Sequence, residues 1–324
     1  MKFRRFLALF LLLALLASQC LCLAYAEGEE DFEQIHIDAG EALLMDADSG
    51  AILYQQNAHE QVSIASVTKV MTCLVVLEAI ERGELELEQS VTAAASAVNG
   101  LPADGSNADP AIVEGEIMTV HDLLYCMMVV SANEACNVLA EAVSGTVAAF
   151  VERMNTRAQE LGCKNTHFVN TNGLTAAGHY SCAWDVYLIA REAMKNETFL
   201  DLCSATWKNI APTNKCEKQR QLHTTNSLLD GRRVKLMMLV LTKWVFLQPS
   251  GTNIMSFTET VRLFKWGFEN FSTKTILEEE ELIAEVPVAL SKETNYVTVH
   301  PAYSGRRTPP PPAWPPGTCS PTHR

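Results

Sequence analysis

The chain has 324 residues, is 48% hydrophobic, and carries 38 acidic against 25 basic side chains for a formal net charge of −13. Such an acidic excess leaves no basic surface to replace phosphate counterions, which excludes a nucleic-acid-binding role. Its ten cysteines include no C-x-x-C pair, so a zinc or dithiol redox site has little support.

At the N-terminus, Lys2, Arg4 and Arg5 precede an apolar run from Phe6 to Ala17, and Ala24-Tyr25-Ala26 is an A-x-A cleavage site. This pattern predicts a secretory signal over 1–26. The run is short for a membrane span, the alternative being an uncleaved anchor. Gln19 and Leu21 stand before Cys20 and Cys22 where a lipoprotein signal would want a small residue. Cleavage after Ala26 removes three basic residues and no acid, which takes the net charge from −13 to −16. The chemistry is therefore expected outside the cytoplasm. Export permits disulfides, but the eight remaining cysteines form no framework of a small stapled domain. Cys73, Cys126 and Cys136 fall in apolar helical text and read as buried small hydrophobes.

From Ile35 to Tyr54 apolar and polar residues alternate, which predicts a hairpin. Its strands are Glu41 to Met45 and Ala51 to Tyr54, around the turn Asp46-Ala47-Asp48-Ser49-Gly50. Helical spacing begins at Ser66 and runs to Arg82, with Gly83 as the stop. Gly100 to Gly115 is rich in turn residues and reads as an exposed loop. Thr119-Val120-His121-Asp122 opens a helix, with Asp122 near a capping-box position, and the helix delivers Ser131-Ala132-Asn133 at its end. Glu134 to Val143 resumes helix until Ser144-Gly145. Thr146 to Leu161 is a further amphipathic helix, stopped by Gly162. A hairpin followed by helices this apolar predicts a mixed α and β core. Phe257 to Phe268 reads as another helix, and Glu278 to Glu281 as a solvated charge run.

Two short motifs carry the chemistry. Ser66-Val67-Thr68-Lys69 is the only S-x-x-K in the chain, and Ser131-Ala132-Asn133 the only S-x-N. A serine hydroxyl needs a neighbouring base to become a nucleophile. A lysine three residues on along a helix lies on the same face, within reach. Taken alone, Ser66 also suits a helix N-cap with Lys69 as a solvated charge. Likewise Ser131 and Asn133 suit a helix end and the cap of the next. Asn172-Gly173 is a turn signal on its own, and His179 and His223, being solitary, read as structural.

These motifs come with matching surroundings. Ile64 to Thr72, Thr119 to Leu124 with Ser131 to Ala135, and Asn170 to Leu174 with His179-Tyr180-Ser181 resemble the low-molecular-mass penicillin-binding proteins, the serine-type D-alanyl-D-alanine carboxypeptidases. The resemblance runs from about Asp38 to His300. It implies an α+β penicillin-binding/β-lactamase-like domain, an antiparallel sheet flanked by helices, over 27–272, with the serine helix buried between them. It also implies the start of a small all-β domain over 276–300. Catalysis would rest on Ser66 as nucleophile, Lys69 as base with its pKa lowered by burial, and Ser131 as proton relay. Asn133 would bind the substrate's backbone amide. The implied substrate is a peptidoglycan stem peptide ending in D-Ala-D-Ala, with β-lactams as acylating inhibitors. Nothing calls for a metal or organic cofactor. A β-lactamase is a weaker alternative, for want of a deacylating Glu in matching context.

One family element has no counterpart in the sequence. No Lys or His is followed by Ser or Thr and then Gly: Lys274-Thr275 runs into Ile276, and Lys265-Trp266-Gly267 lies in helical text. The K-T-G strand is expected near 230–256, after His223 to Leu229. There Gly231 to Val240 already resembles the strand that follows it. In the family that strand holds the substrate carboxylate and completes the oxyanion hole, so a catalytically impaired binding module is the chief rival reading. Between Pro301 and Pro321, both included, lie eight of the thirteen prolines, with no acid from 301 on, which predicts a disordered tail over 301–324. The family's C-terminal membrane-anchor helix is not expected in this chain. The skipped strand and the abrupt change at 301 together suggest an interrupted reading frame, which resequencing the locus would test.

Overall fold

The structure is a computed structural model that describes residues 35–46, 50–102, 105–226 and 253–270, with short strands at 274–277, 284–287, 296–299 and 305–307. The chain divides into Met1–His36 and Ile37–Arg324, and the fold below is that of the second unit. The signal expected at 1–26 and the K-T-G gap up to residue 252 lie outside the described residues.

Strands β1 (Ala42–Met45) and β2 (Ile52–Gln56) form the predicted hairpin, pairing Leu43 with Gln55 and Leu44 with Tyr54. A one-turn 3-10 segment, Ala65–Val67, leads into α1 (Thr68–Glu81). Ser66 thus sits in the tight turn before the α-helix. Gly83, two residues past α1, takes φ +72°, the left-handed stop expected of it. β3 (Ser90–Thr92), the short α2 (Ala95–Val98) and β4 (Ile117–Thr119) follow, with β3 and β4 paired antiparallel. Then come α3 (Val120–Val129), α4 (Asn133–Ser144) and α5 (Val147–Glu160). Thr119 Oγ1 accepts from Asp122 N at 3.0 Å and caps α3. Next are α6 (Ala183–Ala193), α7 (Glu197–Ser204) and the antiparallel pair β5 (Trp207–Ile210) and β6 (Arg220–His223).

α1 is the centre of the molecule. Met71, Cys73, Leu74, Val75, Val76, Leu77 and Ala79 are all buried, because α3, α4, α5, α6 and α7 surround it. A helix that is apolar on every side is stable only in such a place. α6 packs Ala183 and Tyr187 against Leu43 and Met45 of the hairpin. α8 (Asn253–Asn270) also packs on β1, and Trp266 meets Tyr54 edge-on at 6.0 Å. Tyr54 pairs with Leu44, whose side chain points opposite to those of Leu43 and Met45, so α6 and α8 cover opposite faces of the hairpin.

Among the described residues the strands form two-stranded antiparallel ladders rather than one continuous sheet. The α+β class stands. Four short strands follow α8: β7 (Lys274–Leu277), β8 (Ala284–Pro287), β9 (Tyr296–Val299) and β10 (Gly305–Arg307). β8 pairs with β9, and β10 with β7. Gly305–Arg307 falls inside the span expected to be a disordered tail, yet it forms a strand because β7 offers it a partner edge. The proline-rich remainder lies outside the described residues. Cys73, Cys126 and Cys136 are free and buried, as read from their helical surroundings. Burial pushes the Cys126 thiol up to about 12 and that of Cys136 to about 11, so both are inert as nucleophiles.

Candidate active site

Lys69 is 3% exposed and reaches three oxygens. Its Nζ lies 3.0 Å from Ser66 Oγ, 2.9 Å from Asn133 Oδ1 and 2.6 Å from the carbonyl oxygen of Asn172. Helical geometry supplies the first contact and tertiary packing the other two. Asn133 opens α4, and Asn172 lies on the loop between α5 and α6. An ammonium has three protons for three acceptors. Two of these acceptors are carbonyl oxygens that can only accept, whereas the hydroxyl of Ser66 can also donate. A neutral Lys69 therefore keeps two N–H bonds and turns its lone pair to the Ser66 proton. Burial holds its pKa below the ordinary lysine value, with Cys136 and Glu134 of α4 pulling the other way. Burial and neutral acceptors thus both ease loss of the Lys69 proton.

Backbone conformation aims the serine. Ala65, just before it, takes φ +43°, and Ser131 takes φ +61°, both unusual for residues other than glycine. Strain of this kind gathers at functional sites because the surrounding packing enforces it. Gly173, at φ +88°, passes so close that a Cβ there would stand 1.8 Å from the Ala65 carbonyl oxygen and 2.8 Å from Ser66 N. Only glycine permits that approach.

Behind Lys69 a buried polar network fixes the walls. Thr72 Oγ1 donates to the Thr171 carbonyl at 2.6 Å. Thr171 Oγ1 donates to Asn137 Oδ1 at 2.7 Å, and Asn137 Nδ2 to the Ala97 carbonyl at 3.0 Å. His179 joins the first turn of α1 to the 169–173 loop: it accepts from Val169 N at Nδ1 (3.1 Å), so Nε2 carries the proton and donates to Thr68 Oγ1 (2.7 Å). Burial lowers its pKa to about 4. His179 is the structural residue its isolation in the sequence suggested.

The structure thus brings Ser66, Lys69 and Asn133 together. Ser131 precedes Asn133 by two positions, but its hydroxyl oxygen is buried without a hydrogen-bond partner among the described residues. Asn172 enters through its backbone, which leaves no side-chain signature in a sequence. The glycine of Asn172-Gly173 was the only signal it offered.

Comparison with known proteins bears on the family and the fold. The Peptidase S11 family model, described as D-alanyl-D-alanine carboxypeptidase, matches residues 28–243. D-alanyl-D-alanine carboxypeptidase DacF of Bacillus subtilis is 35% identical over 206 residues, 64% of this chain and 51% of its own length. D-alanyl-D-alanine carboxypeptidase DacD of Escherichia coli is 32% identical over 263 residues, 74% of this chain and 66% of its own. The chain therefore spans about half to two thirds of the length of these curated relatives. Among solved structures, penicillin binding protein 5 from Haemophilus influenzae superposes with a TM-score of 0.71 at 28% identity, over 85% of this chain and 83% of that one. Penicillin-Binding Protein D2 from Listeria monocytogenes, in its cefotaxime-bound form, gives a TM-score of 0.59 at 25% identity, over 73% and 99%.

Proposed function

The chain belongs to the Peptidase S11 family of D-alanyl-D-alanine carboxypeptidases, and from that premise we propose that it removes the terminal D-alanine from peptidoglycan stem peptides through an acyl-enzyme on Ser66. The observation that carries the reading is the Lys69 nitrogen, buried and 3.0 Å from Ser66 Oγ with two carbonyl oxygens taking its protons. In this mechanism neutral Lys69 takes the hydroxyl proton as Ser66 Oγ attacks the carbonyl carbon of the penultimate D-alanine. The C–N bond to the last residue then breaks as Ser131 relays the proton from Lys69 to the departing amine, which leaves Lys69 neutral again. Asn133 holds the backbone amide of the stem peptide. Water hydrolyses the Ser66 ester and restores the hydroxyl. β-Lactams acylate the same oxygen. Action at the outer face of the cytoplasmic membrane follows from the signal expected at 1–26.

A second reading, a wall-peptide or penicillin-binding module with impaired turnover, is favoured by one observation: the sequence contains no K-T-G triad. Loss of one oxyanion donor costs on the order of 10²–10³ in kcat. Incubating the purified protein with a penicillin and weighing it intact tests both. An adduct that maps to Ser66 and vanishes in Ser66→Ala supports the acyl-enzyme, and no adduct on folded protein refutes it. D-Alanine release from a D-Ala-D-Ala peptide separates the enzyme from the module.

A further inference from the structure

Glu134 follows the S-x-N triad and has no part in the mechanism above, yet it is 2% exposed and sits at the start of α4. One carboxylate oxygen accepts two backbone hydrogen bonds from the 105–112 loop, from Ala108 N at 2.8 Å and Ile112 N at 3.2 Å. The same loop meets Asn133: the Ser106 carbonyl accepts from Asn133 N at 2.8 Å. A Cβ on Gly105 would lie 3.1 Å from Asn133 Nδ2. The loop is therefore held to α4 by consecutive residues, one of which binds Lys69. The second oxygen of Glu134 is buried without a hydrogen-bond partner among the described residues. A buried carboxylate with an idle oxygen is costly, and a neutral amide could hold the two loop N–H groups equally well. The charge therefore needs its own explanation. The cation it acts on is Lys69, where it opposes the effect of burial.

We propose that Glu134 is a positioning residue of this site, whose one oxygen pins the 105–112 loop onto Asn133 while its negative charge supports the protonated form of Lys69. The proposal rests on the acyl-transfer reading for its consequence in catalysis, but its physical content can be measured without catalysis. Lys69 touches Ser66 Oγ from its own turn, Asn133 Oδ1 from α4 and the Asn172 carbonyl from the 170–173 loop, and Cys136 and Glu134 of α4 act on it through their charge. Among these, Glu134 is the carboxylate.

Two conservative variants separate tether from charge. Glu134→Gln keeps an acceptor for Ala108 and Ile112 and removes the charge. Glu134→Asp keeps the charge and withdraws the oxygen by one methylene. Lys69 is followed through its 13Cε resonance in lysine-labelled full-length protein, assigned with Lys69→Arg, and the loop through amide hydrogen exchange. Glu134→Gln should lower the Lys69 titration midpoint and leave Ala108 and Ile112 protected. Glu134→Asp should speed exchange at those two amides by about tenfold or more, as loss of a charge-assisted hydrogen bond requires, and leave the midpoint nearly in place. An unmoved midpoint in Glu134→Gln, or unchanged amides in Glu134→Asp, would overturn the proposal. Should Glu134→Gln fail to fold, Glu134→Asp decides through the amides. Penicillin acylation against pH completes the set: its acid limb should move to lower pH in Glu134→Gln. If wild-type protein takes no penicillin, the acyl-enzyme reading falls, while the Lys69 titration and amide exchange still judge Glu134.

Discussion

Lys69 and Arg220 are both buried cations, 3% and 1% exposed, and the molecule treats them in opposite ways. Lys69 is surrounded by neutral oxygens at contact distance, and burial pulls its pKa down. Arg220, on β6, makes paired bonds to the Glu116 carboxylate at 2.7 and 2.9 Å and others to the carbonyls of Pro110 and Ala111 at 2.6 and 3.3 Å. There burial also works against the charge, but the bonds to Glu116 outweigh it and raise the Arg220 pKa. Glu116 is likewise destabilised by burial, and the bonds from Arg220, Thr213 and Val113 reverse this and hold its carboxyl below the usual range. Neutral acceptors leave a buried cation free to give up its proton. A carboxylate partner makes it a permanent clasp, here on the loop that Glu134 also pins, with Pro110 and Ala111 lying between the two amides that Glu134 holds.

That contrast can be broken from either side. Replacing Lys69 by Arg installs a cation that stays protonated and cannot act as base. Penicillin acylation of Ser66 should fall by roughly 10²–10⁴, read as the rate of adduct formation by mass, with the fold retained. Removing one half of the clasp, as in Arg220→Leu, strands Glu116 as an unpaired buried charge. Stability should drop by about 3–5 kcal/mol in denaturant unfolding. Acylation per folded molecule should hardly change, and an equal loss in both measurements would erase the distinction between base and clasp. Gly173→Ala forces the 170–173 loop off the Ala65–Ser66 peptide. A displacement of about 1 Å there should slow acylation on the order of a hundredfold.

The smallest effect concerns His179. Its folded pKa of about 4 lies below the ordinary histidine value of 6.5, so between those two values the unfolded chain binds more protons than the folded one. Its contribution is fully present above 6.5 and is lost as the pH falls through about 4. Denaturant midpoints followed against pH should therefore decline across that window in wild type, and the decline should flatten in His179→Gln. An unchanged slope would show that other groups govern it.

What could be read beforehand follows from how each contact is encoded. Ser66 and Lys69 are three residues apart on one helical turn, so chain spacing alone predicted their meeting. Asn133 came with its triad, and the glycine stops at Gly83, Gly145 and Gly162 marked helix ends that all take positive φ. The Glu116–Arg220 clasp joins positions 104 apart with no local pattern around either. Glu134 resembled any acid in the first turn of a helix, where the backbone dipole favours one. Its burial depends on a loop whose course no periodicity describes.

Ala65 holds a consequence for how such a site would change under selection. An L-residue in the left-handed region costs roughly 1–2 kcal/mol, and Ala65 accepts this at φ +43° one residue before the nucleophile. Glycine would remove the cost cheaply. A library screened for thermal tolerance alone should therefore recover Ala65→Gly, and those survivors should melt higher yet acylate more slowly, because the turn that presents Ser66 would gain alternative conformations.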